Sequence, residues 1–139
     1  MAYDPDNIFA KILRGELPAH KVYEDDATLA FMDIMPISRG HVLVLSKAPA
    51  RNILDIDAAD LARVVAVVQR VARAAKEALG ADGVTIQQFN EPAGGQTVFH
   101  LHFHVVPRWE GQPLRPHGAI KADPADLKRD AEQIAALLV

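Results

Sequence analysis

The sequence contains no cysteine among its 139 residues, which excludes a disulfide framework and a metal site built on thiolates. Aromatic residues are few, at 6%, and the formal net charge is −3, which argues against a protein that binds nucleic acid over a basic surface. No apolar run approaches the roughly 20 residues of a membrane span. Residues 1–6 lack the basic and apolar regions of a signal peptide. We therefore expect a cytoplasmic protein that engages neither membranes nor nucleic acid.

The apolar pattern predicts a single domain, residues 1–139, of the α+β class, without repeats or linkers. The predicted helices cover residues 7–14, 57–79 and 124–138, and the predicted strands cover residues 22–23, 29–32, 41–45, 84–89 and 100–106. The longest helix has an apolar stripe of Leu61, Val64, Val65, Val68, Val71, Ala72, Ala75 and Leu79. Because consecutive strands joined by short loops pair most simply as antiparallel neighbours, we expect an antiparallel sheet with helices on one face.

The segment His100–Val106, with the sequence HLHFHVV, is the most informative part of the chain. Histidines alternate with apolar residues, which is the period of a half-buried strand with one apolar face and one face of three imidazoles. Histidine is the side chain best suited to nucleophilic attack and proton transfer near neutral pH. The segment is therefore the first candidate for a catalytic strand.

Besides a plain polar sheet face, two readings of this histidine row remain open from the residues alone. Neighbouring histidines, about 6.6–6.8 Å apart along a strand, can chelate one ion, but the third lies about 13 Å from the first. Alternatively, a neutral imidazole attacks phosphorus while an acceptor holds its other nitrogen. The preceding loop favours this second reading, because the backbone amides of Gly94 and Gly95 can form an anion-binding nest beside Gln96 and Thr97.

Several motifs together resemble the histidine-triad (HIT) superfamily of nucleotide hydrolases and transferases. The similarity covers roughly residues 7–108, followed by a tail and helix at 109–139. The motifs are His100–Val106, Ile8–Ile12, Gly15–Pro18, Tyr23–Asp25, Leu29–Ile34, Gly40–His41 and Gly94–Val98. The N-terminal half resembles the Hint branch of purine nucleoside phosphoramidases, whereas residues 96–98 and 104–108 resemble the Fhit branch of dinucleoside-polyphosphate hydrolases. His104 distinguishes the chain from the uridylyltransferase branch, which has Gln at that position.

The resemblance implies a role for each matching residue. His102 is the expected nucleophile, forming a nucleotidyl-histidine intermediate that water hydrolyses, and the backbone carbonyl of His100 is expected to hold its ring. His104 is expected to contact the phosphate and help protonate the leaving group, with Thr97 beside it. The expected phosphate-pocket residues are His41, Asn90, Gly95 and Gln96. The expected nucleoside-binding residues are Asp33 for the ribose and Ile8, Phe9, Ile12, Phe31 and Ile34 for the base. Periodicity alone favours a core role for these five apolar residues, and the resemblance reverses that preference for Phe9 and Ile34.

The resemblance also implies a five-stranded sheet with one long and two short helices, and a homodimer that joins two sheets into a ten-stranded one. The long helix is expected at that interface, and a purine nucleotide is the expected substrate, without a cofactor. Zinc-binding relatives carry cysteines at the positions of Asn7 and Ala10 and a histidine at that of Pro49, so we expect no bound metal here. Thr97 stands where phosphoramidases often carry serine, which leaves the leaving-group preference open.

The tail matches no pattern, and Trp109, Arg115 and His117 either help to select a substrate or, as we favour, form a surface segment. Two alternatives to a nucleotide hydrolase remain. One is a nucleotide-binding regulatory or scaffold protein with little turnover, and the other is a metal-binding protein.

Overall fold

The computed structural model describes residues 3–138, which contain three α-helices and five β-strands. In chain order they are α1 (Ile8–Leu13), β1 (Lys21–Glu24), β2 (Thr28–Met32), β3 (Val42–Ser46), α2 (Ala58–Leu79), β4 (Gly83–Gln87), β5 (His102–Arg108) and α3 (Pro124–Ala136). The predicted α+β class is confirmed, with one long and two shorter helices. Residues 1, 2 and 139 of the predicted domain lie outside the described residues. None of the described helices is long and apolar enough to cross a membrane.

The five strands form one antiparallel sheet in the order β1-β2-β3-β5-β4. The histidine strand β5 therefore lies between β3 and β4, where it is hydrogen-bonded on both sides. Leu45 faces His102 and Leu43 faces His104 across the β3–β5 pair. β5 begins at His102, two residues later than predicted, because the amide of Leu101 donates to the carbonyl of Ala50 (2.9 Å) and not to a strand neighbour.

The two sheet faces are covered by different helices. Leu101, Phe103 and Val105 point to the face on which α2 and α3 pack, together with the buried Val64 and Ile134. The opposite face carries a smaller cluster of Phe9, Leu29, Phe31, Leu43 and Leu45. Because Phe9 belongs to α1, the expectation that all helices lie on one face is wrong. α1 shields the face that bears His102 and His104, and its apolar side chains are thereby placed beside them.

The long helix α2 follows its predicted bounds. Asp57 caps its N-terminus by accepting a hydrogen bond from the amide of Ala59 (3.1 Å), and Gly80 ends it. Its buried valines are Val64, Val67, Val68 and Val71. Val65 was predicted in the buried stripe but is 46% exposed, because a helix presents only part of its circumference to the sheet.

Candidate active site

His102 is held in one ring orientation. Its side chain is 8% exposed, and its Nδ1 lies 2.6 Å from the backbone oxygen of His100. A carbonyl oxygen only accepts hydrogen bonds, so Nδ1 carries the ring proton and Nε2 has a free lone pair. The ring of Phe9 meets the His102 ring edge-on, with 4.8 Å between centroids. The side chain is therefore a positioned, neutral imidazole whose nucleophilic nitrogen is available.

His41 and His104 form a second hydrogen-bonded unit. The amide of Ile37 donates to Nδ1 of His41 (3.2 Å), which assigns the ring proton of His41 to Nε2. That Nε2–H donates to Nδ1 of His104 at 2.9 Å. Nδ1 of His104 is therefore an acceptor, and its ring proton lies on Nε2. The chain of contacts makes His104 a hydrogen-bond donor towards the cavity that it lines.

Burial keeps these imidazoles neutral. Loss of hydration lowers the pKa of His41 from 6.5 to about 4, and the nearby Asp33 carboxylate opposes that shift. The pKa of His104 is lowered to about 3, first by desolvation and then by His102 and His41. Desolvation also lowers the pKa of His102. A neutral His102 keeps its Nε2 lone pair available for attack and does not repel an anionic phosphate.

His100 does not face the cavity with the other two triad histidines. Its ring is fully buried, with Nε2 donating to the backbone oxygen of Ser46 (2.6 Å). Tyr3 donates its hydroxyl proton to Nδ1 of His100 (2.6 Å), and the side-chain amide of Asn7 donates to the Tyr3 oxygen (3.0 Å). The predicted row of three imidazoles on one face therefore reduces to two, and the first histidine anchors the strand through its ring and its carbonyl.

Beside the two facing histidines lies an apolar cavity of about 490 Å³. The predicted nucleoside-binding residues all line it, namely Ile8, Phe9, Ile12, Phe31, Asp33 and Ile34. Ile8 is 50% exposed and Ile34 is 47% exposed. Large apolar side chains left open to solvent around a concave site are typical of a ligand pocket and not of a core.

A second, polar cavity of about 250 Å³ adjoins the first. His41, Gly95 and Gln96 line it, and Thr97, His102, His104 and His117 line both cavities. The two histidines that face the cavities therefore stand where an apolar and a polar compartment meet. This arrangement suits a ligand with a flat apolar group joined to an anionic group.

The loop between β4 and β5 is held by Gln96, whose side-chain amide is fully engaged within the protein. Its Oε1 accepts from the amide of Glu91 (2.8 Å) and from Asn52 (3.1 Å), and its Nε2 donates to the carbonyls of Arg51 (2.7 Å) and Val98 (3.0 Å). Glu91 adopts φ 65°, which is rare outside glycine. Gln96 therefore shapes the loop, and the loop backbone and Thr97 remain available to a ligand.

Asn90 is not brought into either cavity. Its Oδ1 accepts from the amide of Ile53 (2.9 Å) and from Gln88 (2.9 Å), and its Nδ2 donates to the Gln88 oxygen (2.8 Å). These local bonds hold the amide away from the histidines. Asn90 therefore supports neighbouring backbone and does not contact a phosphate directly in this arrangement.

Two residues that sequence reasoning did not place in the site lie within it or against it. His117, expected on a surface segment, lines both cavities, and its Nε2 donates to Oδ2 of Asp33 (3.1 Å). Tyr3 reaches His100 from the N-terminal segment. No periodicity or motif marks either residue, because both lie in irregular segments. The presence of a sixth histidine was the only signal for His117.

Asp33, His41 and His104 form the candidate metal-binding cluster of the described residues, with ligand atoms within 4.8 Å of one another. The amide of Ile37 occupies Nδ1 of His41, so a metal at Nε2 would require an imidazolate. The donor set therefore fits a hydrogen-bonded relay better than a metal ion. The absence of a bound metal stays a prediction.

The comparisons with known proteins agree on one family. The model of the HIT domain family matches residues 14–111. The crystal structure of a HIT-like protein involved in cell-cycle regulation from Bartonella henselae is 50% identical, with a TM-score of 0.94 and 99% coverage of both chains. A zinc-bound histidine triad family protein from Mycobacterium smegmatis is 40% identical, with a TM-score of 0.85 over 96% of this chain and 93% of that one.

A curated relative adds a named activity. Adenylylsulfatase HINT3 of Arabidopsis thaliana is 33% identical over 129 residues, which are 93% of this chain and 66% of that protein. The fold, the triad and these similarities lead to one assignment: the chain belongs to the histidine-triad superfamily, whose members bind nucleotides and include nucleotide hydrolases and transferases.

Proposed function

We propose that the protein is a hydrolase that attacks the α-phosphate of purine nucleoside phosphoramidates or dinucleoside polyphosphates and releases a nucleoside monophosphate. The observation that carries this proposal is the 2.6 Å hydrogen bond from Nδ1 of His102 to the His100 carbonyl. It leaves the Nε2 lone pair free in a residue that lines both the apolar and the polar cavity. Of the other buried histidines that line the cavities, His41 and His104 each use their one ring lone pair to accept a hydrogen bond, from the amide of Ile37 and from His41 respectively.

The positions of the ring protons on His102 and His104 determine the role of each histidine in the reaction. The Nε2 lone pair of His102 forms a bond to phosphorus, the bond to the leaving group breaks, and a nucleotidyl-histidine results. The Nε2–H of His104 donates a hydrogen bond to a phosphoryl oxygen as negative charge develops there. Water then attacks the intermediate, the P–N bond breaks, and the nucleoside monophosphate leaves with His102 restored. Thr97, beside both histidines, adds a hydroxyl on the leaving-group side.

The apolar cavity can accommodate the nucleoside part of such a substrate. Its volume of about 490 Å³ lies within the usual range of small-molecule sites. The base packs between Ile8, Phe9 and Ile34, and the ribose hydroxyls donate to Asp33. Oδ1 of Asp33 accepts the amide of Met35 at 2.8 Å and Oδ2 accepts His117 at 3.1 Å, which fixes the carboxylate, and each oxygen keeps a further lone pair for a ribose hydroxyl. The adenylylsulfatase activity named for the Arabidopsis relative supports an adenylyl substrate.

The free edge of β4 supports a homodimer with a ten-stranded sheet. β4 is one of the two edge strands of the sheet, and its Ile86 is 45% exposed. An exposed edge with an apolar side chain favours pairing with a second strand. Light scattering after gel filtration tests this, and a monomeric mass at micromolar concentration would contradict it.

Product analysis on adenosine 5′-phosphoramidate and a diadenosine polyphosphate tests the activity. We expect AMP from at least one of them with the wild-type protein, and a loss of at least about a thousandfold with His102→Ala, because a covalent route is removed. His20→Gln is a matched control, since His20 lines neither cavity and, unlike His100, makes no hydrogen bond to His102 among the described residues. Release from the amidate alone indicates phosphoramidase activity, and preference for the dinucleotide indicates the other substrate class. Binding of AMP without product from either compound would refute the proposal and favour a nucleotide-binding regulatory protein.

A further inference from the structure

His117 lies at the junction of the two cavities although it comes from the irregular segment between β5 and α3. Its ring centroid is 6.2 Å from that of His104 and 6.2 Å from that of His41. Its Nε2–H donates to Oδ2 of Asp33 at 3.1 Å. The side chain is 54% exposed, whereas His41, His102 and His104 are at most 9% exposed as residues. His117 is thus the site histidine in direct contact with solvent.

Backbone hydrogen bonds before and after His117 in the sequence fix the loop that carries it. The amide of Arg115 donates to the carbonyl of Ile37 (2.7 Å), and the amide of Ala122 donates to the carbonyl of Ile34 (2.9 Å). Both acceptors belong to the segment that follows Asp33. These two hydrogen bonds hold the loop across the opening of the cavity and place His117 next to the Asp33 carboxylate.

His41, which donates a hydrogen bond to His104, has no second ring proton to transfer. If His104 gave its Nε2 proton to a leaving group, it would need another from His41, whose Nδ1 is occupied by the amide of Ile37. His41 would then be an imidazolate, which is unavailable near neutral pH. His104 is suited to donate a hydrogen bond throughout the reaction, and the leaving group needs a different acid.

We propose that His117 is that acid, a catalytic residue that protonates the leaving atom while Asp33 holds its other ring nitrogen. This inference rests on the proposed function. Nε2 of His102 bonds to phosphorus, and the electron pair of the breaking bond goes to the leaving nitrogen or oxygen. That atom takes the Nδ1 proton of the His117 imidazolium, which leaves the neutral Nε2–H tautomer already bonded to Asp33. In the second step water attacks phosphorus and returns a proton to Nδ1 of His117.

The dependence of rate on the leaving group tests the inference. Adenosine 5′-phosphoramidate must protonate its nitrogen before departure, whereas the p-nitrophenyl ester of AMP releases a phenolate that needs no proton. For His117→Gln we expect kcat to fall by about 100-fold or more on the amidate, the usual scale of general acid catalysis, and by less than about tenfold on the ester. His20→Gln is the control for a histidine replaced outside the site, and thermal denaturation of both variants checks that they fold.

The outcomes separate the inference from the proposed function. Equal losses on both substrates, or no loss on the amidate, would overturn the role of His117 while wild-type turnover upheld the hydrolase. If the wild-type protein released AMP from neither compound, nor from a diadenosine polyphosphate, the proposed function would fail and the role of His117 with it. A merely structural role for His117 predicts equal losses, because a distorted site slows both substrates alike.

Discussion

The buried neutral histidines make the stability of the fold depend on pH. Burial lowers the pKa of His41 to about 4 and that of His104 to about 3, from 6.5. In the unfolded chain both rings take up a proton as the pH falls through 6.5, whereas in the folded protein they stay neutral to below pH 5. The unfolded state thus binds more protons in this range, and the free energy of unfolding decreases as the pH falls.

The size of this loss of stability follows from how far the pH falls below 6.5, the pKa of the rings in the unfolded chain. One pKa unit corresponds to 1.36 kcal/mol, so each histidine contributes a loss of about 2 kcal/mol between pH 7 and pH 5. His41 and His104 together give about 4 kcal/mol, a large part of the roughly 5–15 kcal/mol that stabilises a domain. Below pH 5 the carboxylates also titrate, which sets the lower end of the useful range.

Urea denaturation at pH 7, 6 and 5, at constant ionic strength, measures this loss. His104→Gln is the informative variant, because its side-chain oxygen can still accept the Nε2–H of His41. We expect the variant to lose about 2 kcal/mol less than the wild type over the same range, each protein being compared with itself at pH 7. A free energy of unfolding that is flat from pH 7 to pH 5, or equal pH dependence in both proteins, would refute the assignment of neutral, desolvated rings.

Two further predictions concern the support of the site and the fold. Tyr3→Phe removes the donor to buried His100, so urea denaturation at pH 7 should show a loss of about 1–3 kcal/mol, and an unchanged midpoint would contradict the contact. Gly40→Ala places a Cβ 2.2 Å from Cδ1 of Leu79 at φ +80° and should cost about 2–4 kcal/mol. Gly15→Ala, at φ +79° with open space around it, should cost only about 1–2 kcal/mol, and equal losses would exclude the clash.

Much of the fold could be predicted because its elements have clear periods. The alternation through His102 and His104 predicted a strand, and the stripe on α2 predicted a long helix. α1 has only six residues, and a single turn and a half does not reveal which sheet face it covers. Val65 shows a similar limit, since apolar character alone does not state how wide an arc of a helix the sheet buries.

The positions of site residues were predictable where regular backbone geometry determines them. Residues two apart on a strand share a face, so His102 and His104 had to lie together. His100 departs from that face because the strand begins after it and its ring bonds to Ser46. Asn90 accepts a hydrogen bond from the amide of Ile53, and His117 donates one to Asp33 from a loop. Both positions therefore depend on hydrogen bonds between segments distant in sequence. Such bonds leave no trace in local composition.

Mapping the covalent intermediate tests the nucleophilic role of His102. The wild-type protein is mixed with adenosine 5′-phosphoramidate, quenched within the first turnover and analysed by intact mass and peptide mapping, with His102→Ala treated in parallel. We expect a mass increase of one adenylyl group, located on His102 and absent from the variant. AMP release without an adduct at His102, or an adduct on another residue, would contradict the nucleophilic role of His102.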